Sequence, residues 1–122
     1  APMSAFDTFF SAWADSDAAS RAATISSSYA DGGTYADPRS GDRLSGDGIA
    51  DYVGMFSANA PGWGASVVKA DDSNGYHRLL VVFGGKGPDG SDMVQHGTYF
   101  GELDSDGKIT VLAGFVGVAS AE

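Results

Sequence analysis

The chain contains no cysteine. That excludes disulfides, thiolate metal sites and a thiol nucleophile. Basic residues are also scarce: seven Lys and Arg stand against 16 Asp and Glu, giving a net charge of −9. Nucleic-acid binding needs a basic stripe, which seven scattered residues do not supply. The same charge disfavours anionic membrane surfaces. No apolar run approaches the ~18 residues that mark a membrane span. Ala1-Pro2-Met3 lacks the charged and apolar regions of a signal peptide; Ala1-Pro2 also reads as a cloning remnant ahead of Met3. The two histidines, His77 and His96, lie 19 residues apart with no cysteine beside them, so no metal site is expected. Asp104-Ser105-Asp106-Gly107 carries a fragment of a calcium-loop pattern without the later ligands and reads as a turn. The expectation is a cytoplasmic protein with no metal or cofactor and no nucleic-acid or membrane partner.

What remains is enough for a core. The 122 residues suggest one domain, 1–122, and 43% are hydrophobic; a domain of this size buries roughly two-thirds of its unfolded surface. Phe6, Phe9, Phe10 and Trp13 recur at i, i+3, i+4 and i+7, one face of a helix. Ser4 and Asp7 form a capping-box pattern before it. Asp15-Ser16-Asp17 offers a second N-cap, for a helix from Ala18 to Ser27. Ser26-Ser27-Ser28 should end that helix. Asp31-Gly32-Gly33 reads as a turn, Gly33 to Asp37 as a strand, and Arg43-Leu44 as a short return. Ser45 should start a third helix with Ile49, Tyr52, Val53 and Phe56 on one face. Four strands follow: Trp63 to Ala70, Tyr76 to Gly84, Met93 to Leu103 and Lys108 to Val118. Hairpin loops at Asp72-Ser73-Asn74-Gly75 and Asp104-Ser105-Asp106-Gly107 separate two of the pairs. The order predicts an α+β fold with its helices on one side of a curved sheet.

Asp37 is the residue with the most chemical content. It closes Thr34-Tyr35-Ala36-Asp37-Pro38. Proline biases the residue before it towards extended backbone, so Asp37 is held at a strand end. A carboxylate that opens into an apolar pocket loses hydration and takes up a proton more readily, as a general base must. A surface Asp-Pro turn is the alternative.

This element order, with Tyr-Ala-Asp-Pro, Ser-Gly-Asp-Gly-Ile and Leu-Asp-Ser-Asp-Gly-Lys-Ile-Thr-Val-Leu-Ala-Gly-Phe at these spacings, resembles the nuclear transport factor 2-like superfamily. It is most similar to the SnoaL-like branch, which includes small polyketide cyclases. The resemblance runs from about Phe6 to Val118. It implies a cone-shaped α+β barrel: three N-terminal helices wrapped by a strongly curved, mostly antiparallel sheet, with a deep apolar pocket. In the related ketosteroid isomerases the general base is the Asp of a similar Asp-Pro pair, which matches Asp37. Their Tyr donor on the first helix aligns with Phe9, and their protonated Asp donor aligns with Tyr99. The Arg-x-Asp trio of limonene-type epoxide hydrolases would fall on the fourth strand, which here begins Tyr76-His77-Arg78-Leu79-Leu80 and lacks it.

Strand alternation, oriented by the same alignment, puts His77, Leu79, Val81 and Phe83 inside. Gln95, Gly97 and Tyr99 would face in from the next strand, and Leu112, Gly114 and Val116 from the last. The implied catalytic residues are Asp37, Tyr99 and His77. The implied walls are Phe9, Trp13, Tyr35, Val53, Phe56, Leu79, Val81, Phe83, Gln95 and Leu112. Two functions stay open. One is a proton-transfer isomerase, cyclase or dehydratase acting on a small hydrophobic carbonyl compound. The other is a non-catalytic binding or dimerisation domain. Relatives commonly pair through the outer sheet face, so a homodimer is expected.

Overall fold

The computed structural model describes residues 4–117. Val118, the expected end of the last strand, and Ala1-Pro2 lie outside them. The first helix, α1 (Ala5–Ser11), starts where its sequence says: the Ser4 side chain accepts from the Asp7 backbone N–H, and the Asp7 carboxylate accepts from the Ser4 backbone N–H. A short 3-10 turn, Ala12–Ala14, carries Trp13 onto the same buried face. Asp17 caps α2 (Ala18–Ser28) by accepting from Ser20. The serines end α2 as expected, but no loop follows.

The chain passes directly into β1 (Tyr29–Ala36). Asp31-Gly32-Gly33 is therefore not a turn. It is an irregular stretch inside the strand, where Gly32 takes φ +77° and the register shifts between Tyr29 and Thr34. β2 is only Leu44–Ser45. Ser45 belongs to it, so Gly46 and not Ser45 stands before α3 (Asp47–Asn59). The remaining strands, β3 (Gly64–Ser73), β4 (Tyr76–Lys86), β5 (Asp92–Leu103) and β6 (Ile109–Val116), match the four expected ones to within three residues at each end. The β3–β4 loop is tighter than expected: Ser73 pairs with Tyr76, and Asn74 and Gly75 both take positive φ, the geometry of a two-residue hairpin turn.

The six strands form one sheet in the order β2-β1-β6-β5-β4-β3. Four of the five pairings are antiparallel; β1 runs parallel to β6. The expected barrel is corrected to an open mixed sheet, with β2 and β3 as its two edges. Leu79 and Val81 are buried while Tyr76 and Arg78 are exposed, so the β4 register is as expected. Tyr99, Gly101, Leu112 and Gly114 continue the buried face on β5 and β6. Two expected inward residues depart from it. Gln95 is exposed, and Val116 is 79% exposed. Both lie at the end of their strands away from the Phe6–His77 contact, beyond the fully buried core residues.

Candidate functional site

At that end of the sheet lies a cleft of about 520 Å3, within the usual range for small-molecule sites. Trp13 and Phe83 form its inner wall, with ring centroids 5.4 Å apart, and Phe56 packs 4.9 Å from Trp13. Its polar groups include Asp37, Arg39, Tyr52, Gln95, His96 and Tyr99.

Asp37 is positioned from several directions. β1 ends at Ala36, and Pro38 fixes the backbone directly after Asp37. The Arg39 backbone N–H donates to Oδ1 at 2.9 Å, closing a local side-chain turn of the kind Asp favours. The Ser40 hydroxyl accepts from the Asp37 N–H at 3.1 Å. Tyr35 lies two residues earlier and therefore on the same face of the strand; its hydroxyl donates to Oδ2 at 2.7 Å. Tyr52, from α3, donates across the cleft at 2.7 Å to Oδ1 and 2.8 Å to Oδ2. The hydroxyls of Tyr35 and Tyr99 are 2.8 Å apart. A continuous chain of polar groups thus runs Tyr99–Tyr35–Asp37–Tyr52.

Gly114 makes the first of these links possible. Tyr35 is on β1 and Tyr99 on β5, with β6 between them, so the strands are two spacings, or about 9.6 Å, apart. Tyr99 pairs directly with Gly114 on β6. A Cβ at Gly114 would run into the Tyr99 ring. Only a residue with no side chain lets that ring lie across β6 and reach Tyr35.

Burial raises the pKa of the Tyr35 phenol well above its ordinary value, with neighbouring Tyr99 and Asp37 adding to the effect. Burial likewise raises Tyr99. Tyr52 is raised by burial and then by its bond to Asp37. All three phenols therefore keep their protons at neutral pH and act as donors. Because each hydroxyl has one proton and Tyr35 gives its own to Asp37, the Tyr99 proton points to Tyr35 while Asp37 is ionised.

The expected site residues fall into four placements. Asp37, Tyr99, Trp13, Phe56, Phe83 and Gln95 line the cleft. Tyr35 stands behind it, fully buried. Phe9, Val53, Leu79, Val81 and Leu112 are buried core and do not line it. His77 is not brought to Asp37: its ring packs against Phe6 at 5.2 Å, and it is not among the cleft residues. His96, which strand alternation puts on the face opposite Gln95 and Tyr99, also lines the cleft, as do Tyr52 and Arg39, to which the sequence had given no site role. The Trp13 indole N–H is buried without a hydrogen-bond partner among the described residues. No group of three or more His, Cys, Asp or Glu suited to a metal occurs among them.

No family model matches the sequence, and no curated protein matches it. Solved structures do. A proposed isomerase of the SnoaL-like family from Agrobacterium tumefaciens superposes with a TM-score of 0.77 at 24% identity, over 93% of this chain and 95% of that one. A protein of ketosteroid isomerase-like fold from Catenulispora acidiphila, in complex with trimethylamine, gives 0.75 at 16% identity, over 95% and 87%. A nuclear transport factor 2-like protein of unknown function from an Exiguobacterium species gives 0.74 at 22%, over 95% and 100%. The chain has the fold these three share, the nuclear transport factor 2-like fold.

Proposed function

We propose that this protein binds a small, largely apolar carbonyl compound in the cleft. Asp37 takes a proton from the carbon next to the carbonyl, as an isomerase, cyclase or dehydratase requires. The observation that carries this reading is one carboxylate set among aromatic walls and held by hydroxyl donors instead of a cation. Trp13, Phe56 and Phe83 supply the apolar contacts, and such a combination of apolar walls with few polar points is the usual form of a ligand site. The polar chain fixes the direction of Asp37, which proton transfer needs before it needs strength. His77 has no part in this reading, because it packs against Phe6. The proposal places the chemistry in the cytoplasm.

The test is exchange of α-protons in a panel of cyclic ketones in D2O. Wild type should catalyse exchange with at least one ketone, and Asp37→Asn should abolish it. Exchange absent from the wild type, or unchanged in the variant, removes the catalytic reading. A non-catalytic binding site is the second reading. It is favoured by the completeness of the carboxylate's bonding: both oxygens already accept hydrogen bonds. Ligand binding that survives Asp37→Asn without any exchange would select it.

Pairing of two copies through the outer sheet face belongs to the same proposal. Exposed Phe100, with the Tyr76 ring packed against it at 5.4 Å, gives that face an apolar character; Val94 and Phe115 share the face and also reach the mouth of the cleft. A specific pair should bury about 1,200 Å2 or more in total. A monomer mass by light scattering at micromolar concentration would exclude it.

A further inference from the structure

We propose that Tyr35 is a positioning residue that couples the protonation of Asp37 to the direction in which Tyr99 donates. This deepens the proton-acceptor reading and rests on it. With Asp37 ionised, Tyr35 donates to Oδ2 at 2.7 Å, and Tyr99 donates to Tyr35 across 2.8 Å. The Tyr99 hydroxyl then offers a ligand in the cleft only lone pairs.

When a carbon-bound proton moves to Oδ2, the C–H electron pair stays with the substrate and becomes the enolate. Oδ2 is now a hydroxyl, which accepts weakly and donates well. Tyr52 stands 2.7 and 2.8 Å from the two oxygens, so its single proton settles on Oδ1. Oδ2–H turns to the Tyr35 oxygen, the Tyr35 proton turns to Tyr99, and the Tyr99 proton is released towards the cleft. No O–H bond breaks in the tyrosines; only the direction of two hydrogen bonds reverses. Tyr99 becomes a donor at the step at which negative charge appears on the substrate oxygen. A donor that acts only on the developing charge is what accelerates a reaction instead of tightening ground-state binding.

The burial of both tyrosines supports the arrangement. Tyr35 is completely enclosed and Tyr99 is 3% exposed, so water does not compete for the link between them. The groups facing Asp37 are Tyr35 from β1, Tyr52 from α3 and the Arg39 N–H from the following turn. Tyr99 stands behind Tyr35, and His96 and the Arg39 side chain complete the ionisable groups of the cleft.

The experiment needs no ligand. Carbon-13 resonances of Asp37 Cγ and of the tyrosine Cζ atoms are followed by NMR as pH is lowered, in wild type, Tyr35→Phe and Asp37→Asn, with His96→Gln as background to remove the imidazole from the cleft. The Tyr99 Cζ signal should move with the same midpoint as Asp37 Cγ in wild type. It should be silent over that range in Tyr35→Phe, and in Asp37→Asn it should not titrate. A Tyr99 signal that stays still while Asp37 titrates, or that moves equally in Tyr35→Phe, overturns the relay. If Tyr35→Phe does not fold, the wild-type and Asp37→Asn titrations decide alone. Failure of ketone exchange with an intact NMR coupling would reject the base and leave the relay standing, so the two proposals fail separately.

Discussion

The two ends of β4 and β5 follow one alternation and have opposite fates. At one end His77 and Gly101 are cross-strand partners and both lie under the Phe6 ring. At the other, Phe83 and Gln95 are cross-strand partners and both line the cleft. The period of two is unbroken between them. What changes is what lies over the strands. Phe6, Phe9 and Phe10 of α1 fill the first end, and Phe10 closes on Tyr99 at 5.0 Å. Alternation therefore tells which face a residue is on, and only packing tells whether that face is core or wall.

Breaking the packed end should have the largest effect. Trp13 belongs to both regions, touching Phe9 and Phe10 on one side and Phe56 and Phe83 on the other. Trp13→Ala should cost about 3–5 kcal/mol, as large-to-small aromatic changes in cores do. An unchanged denaturation midpoint would mean that α1 is loosely docked.

Next comes a pair of identical substitutions placed on either side of Asp37. Tyr35→Phe removes a hydroxyl from a fully enclosed position and leaves the Tyr99 hydroxyl without its partner. It should cost about 1–3 kcal/mol, the penalty for an unsatisfied buried polar group. Tyr52→Phe acts at a half-buried position where water can replace the lost donor, so its cost should stay near the ~0.5–1.5 kcal/mol of an ordinary hydrogen bond. Equal costs by urea denaturation would erase the distinction between the two sides.

The tyrosines offer a pH test of the same contrast. The phenols of Tyr29, Tyr35, Tyr52 and Tyr99 are all raised, with burial as the main cause. Their neutral forms are favoured by folding. The stability they contribute is fully present below the ordinary tyrosine range and is lost as pH rises through and above it. Absorbance titration at alkaline pH should show these four silent until the protein unfolds. Smooth ionisation of all tyrosines near pH 10 in the folded state would contradict it.

The smallest effect is expected at the mouth. Val116→Ser should change stability by no more than about 0.5 kcal/mol, as exposed substitutions do. A loss above 2 kcal/mol would show that this strand end is covered in solution.

The sequence made some of this plain and hid the rest for identifiable reasons. The aromatic stripe of α1 and the strand alternation are short-range patterns, and both elements formed where they indicated. Asp37 was visible because Pro38 follows it. Tyr35 could also have been tied to Asp37 by its i, i+2 spacing. Tyr52 was not visible as a donor: it sits in the apolar stripe of α3, and its partner is 15 residues away in another element. The two histidines changed places for the same reason as the strand ends. His77 shares the inward face but falls under Phe6, whereas His96 reaches the open end. Gly114 carried no local signal, because its role is set by a ring from the neighbouring strand.

The sheet's open edge has a consequence for how this chain behaves in a crowd of its own kind. β2 is too short to recruit another strand, but β3 presents ten residues with one side unpaired. Such an edge is a template for fibril-like growth. Here the register shifts between Val67 and Lys69, and Lys69, Asp71 and Asp72 follow within four positions. A bulge and a cluster of charges are the devices that keep exposed edges from zipping together. Neutralising Asp71 and Asp72 should leave the fold intact and shorten the lag before aggregation. The edge that leaves the sheet unclosed carries its own protection, a kink and three charges.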